Sequence, residues 1–320
     1  MLRKLLLCGL VFWAVAGNSS QAGEAATVLG LPTPRDPNRP GAVMLHGGGR
    51  VTKDAFLRFV ELAGGPEARI VIVPSAGYRR ADYASQKLFL DAMNRRFSAW
   101  VGLVSTKQVQ NVEFLTTDNP VDANDPTFVK PLFRATGVWF GGGEQSRLNY
   151  RYVGDYPNPT HFQTALREVV ERGGIVGGTS AGMAAMPQIM AMTQARDRLD
   201  GPIKTDTAHG LGLFDGAIVE QHFDGRSGRL ERFTSLLKDS ERLDRLAGRE
   251  GAGRRMIGLA SEGSTAIVLQ SDRLEVFGNN NAHVFIKSAD QSIHWHTLNS
   301  GDKAQWKRDA AGSVELVRSR

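Results

Sequence analysis

Short apolar runs alternate with longer amphipathic stretches from about residue 41 onward. Helical spacing of the apolar residues is found at 53–63, 79–99, 127–135, 160–172 and from Ala181 onward. The runs that come before these stretches have the length of buried strands, namely AVMLHG, RIVIVPS, NVEFLT, GVWFGGG and GIVGGTS. This alternation predicts an α/β fold in which a mainly parallel sheet is covered by helices on both faces.

The pattern changes after Gly216. AIVEQHF is followed by an arginine-rich helical stretch, and four apolar runs then come in close succession: MIGLAS, STAIVLQ, RLEVFGN and AHVFIKS. Strands this close together predict an antiparallel extension of the same sheet or a small flap. We therefore expect one α/β domain at 41–290 and a C-terminal extension of undetermined structure at 291–320.

The first 22 residues have the layout of a secretory signal peptide. Arg3 and Lys4 come before the apolar run LLLCGLVFWAVA, and the small residues of SQA end at Ala22. The run is shorter than the roughly 20 residues that span a bilayer. The proline-rich stretch that follows predicts an extended lead-in at 23–40. We expect a secreted or periplasmic protein with no membrane attachment after cleavage.

The composition of the chain excludes several kinds of functional site. The chain has 320 residues, 41% of them hydrophobic, which is typical of a globular protein. Cleavage after Ala22 would remove Cys8, the only cysteine, and would exclude disulfides and thiol catalysis. It would also remove two of the six net positive charges, and no lysine-rich block points to nucleic acid as a partner. The single histidine of HGGG falls short of a metal or phosphate site, so we expect no metal and no cofactor.

The stretch GGIVGGTSAGMAAM, at 173–186, contains a Gly-x-Ser-x-Gly motif between a predicted strand and a predicted helix. A serine at such a junction is lifted clear of the sheet by a strained turn, and its small neighbours let the backbone fold back beside it. The N–H of Ala181, at the start of the helix, is placed to stabilise an oxyanion. The motif is short enough to occur by chance, so Ser180 is a candidate nucleophile that needs a base and an acid.

Candidates for both partners follow in the sequence. His222 ends the run AIVEQHF and is expected at the same edge of the sheet as Ser180. Glu262 lies in a polar turn between two apolar runs and is the candidate acid. The glycines of VWFGGGEQSRL bring backbone N–H groups close to a substrate oxygen, so Gly142 or Gly143 is the candidate for the second oxyanion donor.

Several of these segments together resemble one family. GGTSAG, EQHF with its arginine series, FGGGEQ, GLASEGSTAIVL, HGGG and FVELAGGPEARIVIVPSAG are similar to segments of the cyanophycinases and related aspartyl-dipeptidase-like serine peptidases. The likeness covers about residues 41–287 and includes the interval between serine and histidine. It implies a fold like that of the class I glutamine amidotransferases, which is flavodoxin-like, with a serine at the elbow.

The resemblance also implies an activity and a site. It implies a serine-type exopeptidase that cuts cyanophycin, a polyaspartate with arginine on its side chains, into β-aspartyl-arginine dipeptides. Ser180 matches the nucleophile of the family, His222 its base and Glu262 its acid. It suggests a homodimer as well. The residues that match its substrate pocket are Gln145, Glu220, Gln221, Arg226, Arg229 and Arg232.

The residues themselves fit an acidic substrate. Arg226, Arg229 and Arg232 recur every three positions, so on a helix they share one side, where guanidinium groups bind carboxylates in a bidentate manner. Glu220 is placed to take a substrate guanidinium. A solvated, salt-bridged helix gives the same arginine pattern.

Other readings of the sequence stay open. One is an aspartyl or isoaspartyl dipeptidase of the same family. Another is an α/β-hydrolase esterase, which would have Ser180 near His283 or His294. The last is an extracellular binding protein that keeps the fold without turnover.

Overall fold

The computed structural model describes residues 28–192, 206–223, 228–309 and 313–319. The predicted signal peptide lies outside the described residues, as does Arg226. No helix in the described part of the chain is long and apolar enough to cross a membrane.

A nine-stranded sheet forms the centre of the molecule, in the order β15-β14-β11-β10-β1-β5-β4-β2-β3. Neighbouring strands from β1 to β3 in that order are parallel, and β10, β11, β14 and β15 add antiparallel pairs at the other side. Its strands are β1 (Ala42–His46), β2 (Arg69–Val73), β3 (Asn111–Phe114), β4 (Gly137–Phe140), β5 (Ile175–Thr179), β10 (Thr265–Gln270), β11 (Arg273–Gly278), β14 (Lys303–Arg308) and β15 (Val314–Ser319).

The other strands of the described residues form two smaller sheets. One has the order β13-β12-β9-β8, and the other pairs β6 with β7. Their strands are β6 (Ile189–Met192), β7 (Asp206–His209), β8 (Ala217–Glu220), β9 (Ile257–Ser261), β12 (Ala282–Lys287) and β13 (Ile293–Leu298).

The helices alternate with the parallel strands as the sequence predicts. The α-helices are α1 (Lys53–Leu62), α2 (Gln86–Arg96), α3 (Ser98–Ser105), α4 (Pro126–Val129), α5 (Gln145–Tyr152), α6 (His161–Glu171), α7 (Ala181–Ala184), α8 (Arg229–Lys238), α9 (Ser240–Ala247) and α10 (Ala252–Arg255). Short 3-10 turns lie at 65–67, 80–82, 120–124 and 130–133. The helix predicted at 79–99 is divided by a break at Phe97.

Four of the five parallel strands are buried almost throughout, as their apolar sequences predict, whereas β3, at the edge of the sheet, is half-buried. In β1, Val43 and Leu45 belong to the larger apolar cluster, whereas Ala42 and Met44 belong to a second cluster on the opposite face. The fold is therefore the predicted mixed α/β architecture with antiparallel strands toward the C-terminus.

The late strands go to two different sheets. Strands β10 and β11 extend the main sheet, whereas β9 and β12 pair with each other across the hairpin that separates them. The described residues of 291–320, a stretch whose structure the sequence leaves undetermined, form strands that continue both sheets: β13 pairs with β12, and β14 pairs with β11.

The described part of the lead-in, 28–40, contains no helix or strand. Val28 and Leu29 are nevertheless buried in the larger apolar cluster, and the backbone N–H of Arg35 donates to the carbonyl oxygen of Glu171. This segment is thus packed against the sheet and its helices.

Candidate active site

Ser180 lies on a tight turn between β5 and α7. Its φ of 55° and ψ of −118° are outside the regions that non-glycine residues ordinarily adopt. The small neighbours are required by close packing, because a β-carbon on Gly178 would lie 2.6 Å from the backbone carbon of Gly182, and one on Gly182 would meet the backbone of Phe140. The turn has the geometry that the motif predicts for an exposed nucleophile.

His222 lies directly beside this serine. Its Nε2 is 2.9 Å from the Oγ of Ser180, and it too has a positive φ, of 49°. The end of β1 ties the two residues together, since the N–H of Ser180 donates to the carbonyl oxygen of His46 and the N–H of His222 donates to that of Gly47. Two strained backbones held side by side are a feature of functional sites, because a cost of about 1–3 kcal/mol each must be offset elsewhere.

Gln221 also contacts the serine. The Oγ of Ser180 donates to the Oε1 of Gln221 over 3.0 Å. A hydroxyl has one proton, so it donates either to Gln221 or to His222 at a given moment. Gln221 is therefore placed to influence when the hydroxyl donates to the imidazole.

Gly48 packs against the imidazole of His222. Its φ is 115°, and a β-carbon at this position would overlap the Cε1 and Nε2 atoms of the ring. The HGGG segment therefore provides the surface on which the histidine rests.

Replacing Gly48 by alanine is expected to lower kcat by about 100-fold or more, because the ring must move away from Ser180 and a displacement of about 1 Å has that effect. Steady-state kinetics of the purified variant measure the change. The matched control is Gly65→Ala, since Gly65 also has a positive φ, of 58°, and a β-carbon there meets nothing within 4 Å. Equal effects of the two substitutions on kcat would contradict the role given to Gly48.

Backbone N–H groups near the serine are available to bind an oxyanion. The N–H groups of Gly141 and Glu144 donate to the carbonyl oxygens of Val73 and Ala76, whereas within the described residues those of Gly142 and Gly143 make no hydrogen bond. The same holds for the N–H of Ala181. Gly142 is close to the nucleophile, because a β-carbon on it would lie 3.3 Å from the Cβ of Ser180.

Glu220 forms a buried ion cluster with two of the predicted substrate arginines. Its side chain is 3% exposed, and it accepts from Arg229 over 2.6 Å and from Arg232 over 2.7 Å. Arg229 also donates to the carbonyl oxygen of Gln221 over 2.6 Å. The sequence predicts that Glu220 binds a substrate guanidinium. In the structure, both oxygens of its carboxylate already accept hydrogen bonds from Arg229 and Arg232. The cluster fixes the backbone that leads into His222, and substrate binding by either arginine stays a prediction.

Gln145 is also buried, and its amide donates to the carbonyl oxygen of Ala191 over 3.2 Å. This bond links α5 to β6. Its predicted contact with substrate stays a prediction.

Glu262 contacts a different histidine from the one expected. Its Oε1 is 3.0 Å from the Nε2 of His283, and both of its oxygens accept from Asn281. The hydrogen bonds of this carboxylate within the described residues do not include His222, which corrects the expected direct contact. The reason is the pairing of β9 with β12, which brings His283 beside the turn that contains Glu262. His283 in turn accepts from the indole N–H of Trp295 over 3.0 Å.

Replacing Glu262 by glutamine is expected to lower kcat less than about tenfold, since the carboxylate does not contact the base. A triad acid would instead cost about 10⁴-fold. The measurement is kcat over a range of pH values, with the thermal midpoint as a check that the β9–β12 edge stays folded. A loss of several orders of magnitude in a stably folded variant would return Glu262 to the role of acid.

His46 lies behind the elbow and is fully buried. Its Nδ1 accepts from the N–H of Gly48 over 3.2 Å and lies 2.7 Å from the Oγ1 of Thr179. Burial lowers the pKa of His46 to about 4, and the nearby His222 adds to the shift. The ring is therefore neutral and acts as an acceptor that joins the HGGG turn to the residue before Ser180.

Stability is expected to fall as the pH drops from about 6.5 to about 4, because in this window the unfolded state protonates His46 and the folded state does not. The contribution is complete above about pH 6.5, and its loss amounts to about 3 kcal/mol at pH 4. Urea unfolding at several pH values measures it. His46→Asn is expected to reduce this dependence, whereas substitution of the exposed His161 by asparagine keeps it. Identical pH dependence in wild type and His46→Asn would contradict the assignment.

A cleft of about 1060 Å³ opens in front of the serine. Ser180, His222, Gly142 and Gly143 line it, and aromatic rings form one wall, with Trp100 packed 4.6 Å from Phe56 between ring centroids. Arg50, Lys53 and Arg96 line it as well. The volume is large enough for an extended peptide segment.

The pairing of Ser180 with His222 distinguishes between the predicted serine peptidase and the alternative of an α/β-hydrolase esterase. An α/β-hydrolase would pair the serine with a histidine late in the chain, and in the described structure neither His283 nor His294 contacts it. The family comparison agrees: the model described as Peptidase family S51 matches residues 43–253, which include both Ser180 and His222. The chain belongs to peptidase family S51. It is thus an enzyme, a serine-type exopeptidase of the kind that the sequence predicts.

Individual relatives of this S51 peptidase support the same assignment. A cyanophycinase from Synechococcus elongatus is 28% identical over 275 residues, which cover 82% of this chain and 78% of that one. A cyanophycinase from a Nostoc species is 26% identical over 291 residues, covering 87% of this chain and 90% of that one. The crystal structure of a peptidase from an acI-B1 Actinobacterium matches the fold with a TM-score of 0.54 at 17% identity, over 83% of this chain and 97% of that one.

Sequence reasoning missed two features of this S51 peptidase. The sequence motif HGGG does not predict the structural role of His46, although its position at the end of a buried strand indicates a buried histidine. The cations of the cleft were not identified, because Arg50, Lys53 and Arg96 belong to separate elements and form no motif.

Proposed function

We propose that this chain is a secreted cyanophycinase, a serine exopeptidase that hydrolyses cyanophycin to β-aspartyl-arginine dipeptides. The observation that carries the mechanism is the 2.9 Å contact between the Nε2 of His222 and the Oγ of Ser180 at a strained elbow that faces a large cleft. The choice of cyanophycin as the substrate rests on the names of the relatives, which are cyanophycinases.

The reaction starts at the serine hydroxyl. The Oγ of Ser180 attacks the carbonyl carbon of an aspartyl peptide bond while the Nε2 of His222 takes its proton. The oxyanion that forms is bound by the N–H of Ala181 and by that of Gly142 or Gly143. His222 then gives its proton to the leaving amine, and water hydrolyses the acyl-enzyme by the same steps in reverse order.

The surrounding charges have supporting roles in this proposal. Glu220, Arg229 and Arg232 hold the backbone that leads to His222 in place, and Gln221 accepts from the reacting hydroxyl. Arg226, which lies outside the described residues, stays a proposed ligand of substrate carboxylates. Glu262 supports the turn beside His283.

The test is incubation of the purified protein with insoluble cyanophycin, followed by mass spectrometry of the soluble products. We expect β-aspartyl-arginine from wild type and none from Ser180→Ala. Clearing of the polymer by Ser180→Ala would contradict the mechanism, and binding without clearing by wild type would favour a binding protein. Turnover of short aspartyl or isoaspartyl peptides, with no turnover of the polymer, would assign the chain to the dipeptidases.

Export and assembly are parts of the same proposal. The signal-like layout of residues 1–22 supports cleavage near Ala22 and release to the periplasm or the medium. The N-terminal sequence of the protein recovered from each cell fraction tests this, and an uncleaved protein in the cytoplasm would contradict it. Sedimentation of the mature protein tests the homodimer.

A further inference from the structure

Three cations line the cleft in front of Ser180. Arg50 follows the HGGG turn, Lys53 is the first residue of α1, and Arg96 is the last residue of α2. Within the described residues, none of the three side chains makes an ion pair or a hydrogen bond, and no aspartate or glutamate lines the cleft. The side chains that face this space thus present uncompensated positive charge.

Two other cations of the same helices are paired with acids. Arg58, in α1, pairs with Glu61 and Glu275 at 3.0 and 3.2 Å. In α2, Lys87 pairs with Asp91 at 2.7 Å. These two cations are thus paired, whereas the three that line the cleft make no ion pair within the described residues.

Lys53 occupies a position that helix electrostatics disfavour. The first turn of a helix carries the positive end of the macrodipole, so an acid is preferred there and a cation is destabilising. Arg50, three residues earlier, adds a second positive charge to the same side of the cleft. A local rule broken in this way is expected where the charge serves a function.

We propose that Arg50, Lys53 and Arg96 form a subsite that binds the free carboxylates of the substrate along the cleft. The inference rests on the proposed function and names the feature that the subsite recognises. In β-aspartyl-arginine units the arginine is linked through its amino group and keeps its own carboxylate. Each unit thus carries a carboxylate beside its guanidinium, and the cations that line the cleft match these carboxylates in charge.

The three residues are exposed, so glutamine at each position is expected to leave the fold intact. The substrates are a synthetic trimer of β-aspartyl-arginine units and the same trimer with argininamide, which differ only in their carboxylates. Each single substitution is expected to raise KM for the carboxylate trimer about fivefold, and the triple variant about 100-fold, with little change in kcat. The triple variant is also expected to lose most of the salt dependence of kcat/KM.

The matched control is Arg95→Gln, which removes an exposed charge next to Arg96 that does not line the cleft. We expect it to change KM less than twofold. The amide trimer keeps its guanidinium groups and lacks the carboxylates, so none of these substitutions is expected to raise its KM. Equal losses on both trimers, or no loss on the carboxylate trimer in the triple variant, would overturn the subsite.

Binding separates this inference from the proposed function. In the Ser180→Ala background, calorimetry with the carboxylate trimer is expected to show binding that the triple substitution weakens about 100-fold. This binding without any hydrolysis by wild type would refute the proposed function and keep the subsite. Hydrolysis by wild type with unchanged binding in the triple variant would refute the subsite and keep the function.

Discussion

Replacing Ser180 by alanine is expected to lower kcat for cyanophycin hydrolysis by about 10⁴- to 10⁶-fold. The hydroxyl is the atom that forms the acyl-enzyme, and among the described residues no other hydroxyl contacts His222. The N–H groups of Ala181 and Gly142 remain in the variant, so a small residual rate above water is expected. Alanine keeps the close packing of Gly178 and Gly182 and is expected to leave the elbow folded.

The measurement is the rate of dipeptide release under saturating substrate, with the thermal midpoint to show that the variant is folded. Thr179→Ser is a useful neighbour control, because it keeps a hydroxyl next to His46. A Ser180→Ala variant that is stable and retains more than a few per cent of activity would exclude Ser180 as the nucleophile.

Replacing His222 by asparagine is expected to lower kcat by at least about 10⁴-fold, since the serine then has no base within 3 Å. Asparagine tolerates the positive φ of this position, so the loss is expected without a large change in stability. The two residues act as a unit, and the double variant with Ser180→Ala is expected to be no slower than the worse single variant.

The check is the full cycle of two single variants and one double variant, measured for kcat. Losses that add on a logarithmic scale would contradict a shared function. Recovery of activity at high pH in His222→Asn, where hydroxide replaces the base, would support the assignment.

The parallel half of the fold follows directly from the sequence. Strands β1, β2, β4 and β5 are largely apolar runs followed by a glycine, proline or polar residue, since a strand buried on both faces has no room for alternation. The position of Ser180 between β5 and α7 and that of His222 after β8 follow from the same reasoning, because both lie at strand ends. The expectation of one shared sheet edge is wrong, since β8 belongs to the four-stranded sheet and β5 to the nine-stranded one.

Contacts between late strands are not readable in the same way. Strands β9 and β12 pair although β10 and β11 lie between them, and this pairing decides that Glu262 contacts His283. In β14, buried and more exposed side chains alternate: Ala304 and Trp306 are buried between polar neighbours, among them Lys303 and Lys307. The charges of this strand conceal this alternation in the sequence.

The cations that line the cleft could not be grouped from the sequence either. Arg50, Lys53 and Arg96 come from a loop, a helix start and a helix end, and only the folded chain brings them into the lining of one cleft. Arg229 and Arg232 have the spacing expected of a substrate pocket, yet that spacing serves the buried Glu220 equally well. Spacing on a helix predicts which side chains share a face and does not identify what the face contacts.

The most direct test of the Ser180–His222 pair is labelling with a fluorophosphonate, which reacts with activated serine hydroxyls and needs no natural substrate. We expect one adduct per chain, located on Ser180 by peptide mass spectrometry, with labelling lost in Ser180→Ala and slowed by at least about 10³-fold in His222→Asn. Labelling of wild type at another serine, or labelling of Ser180 at the same rate without His222, would contradict the proposed catalytic pair.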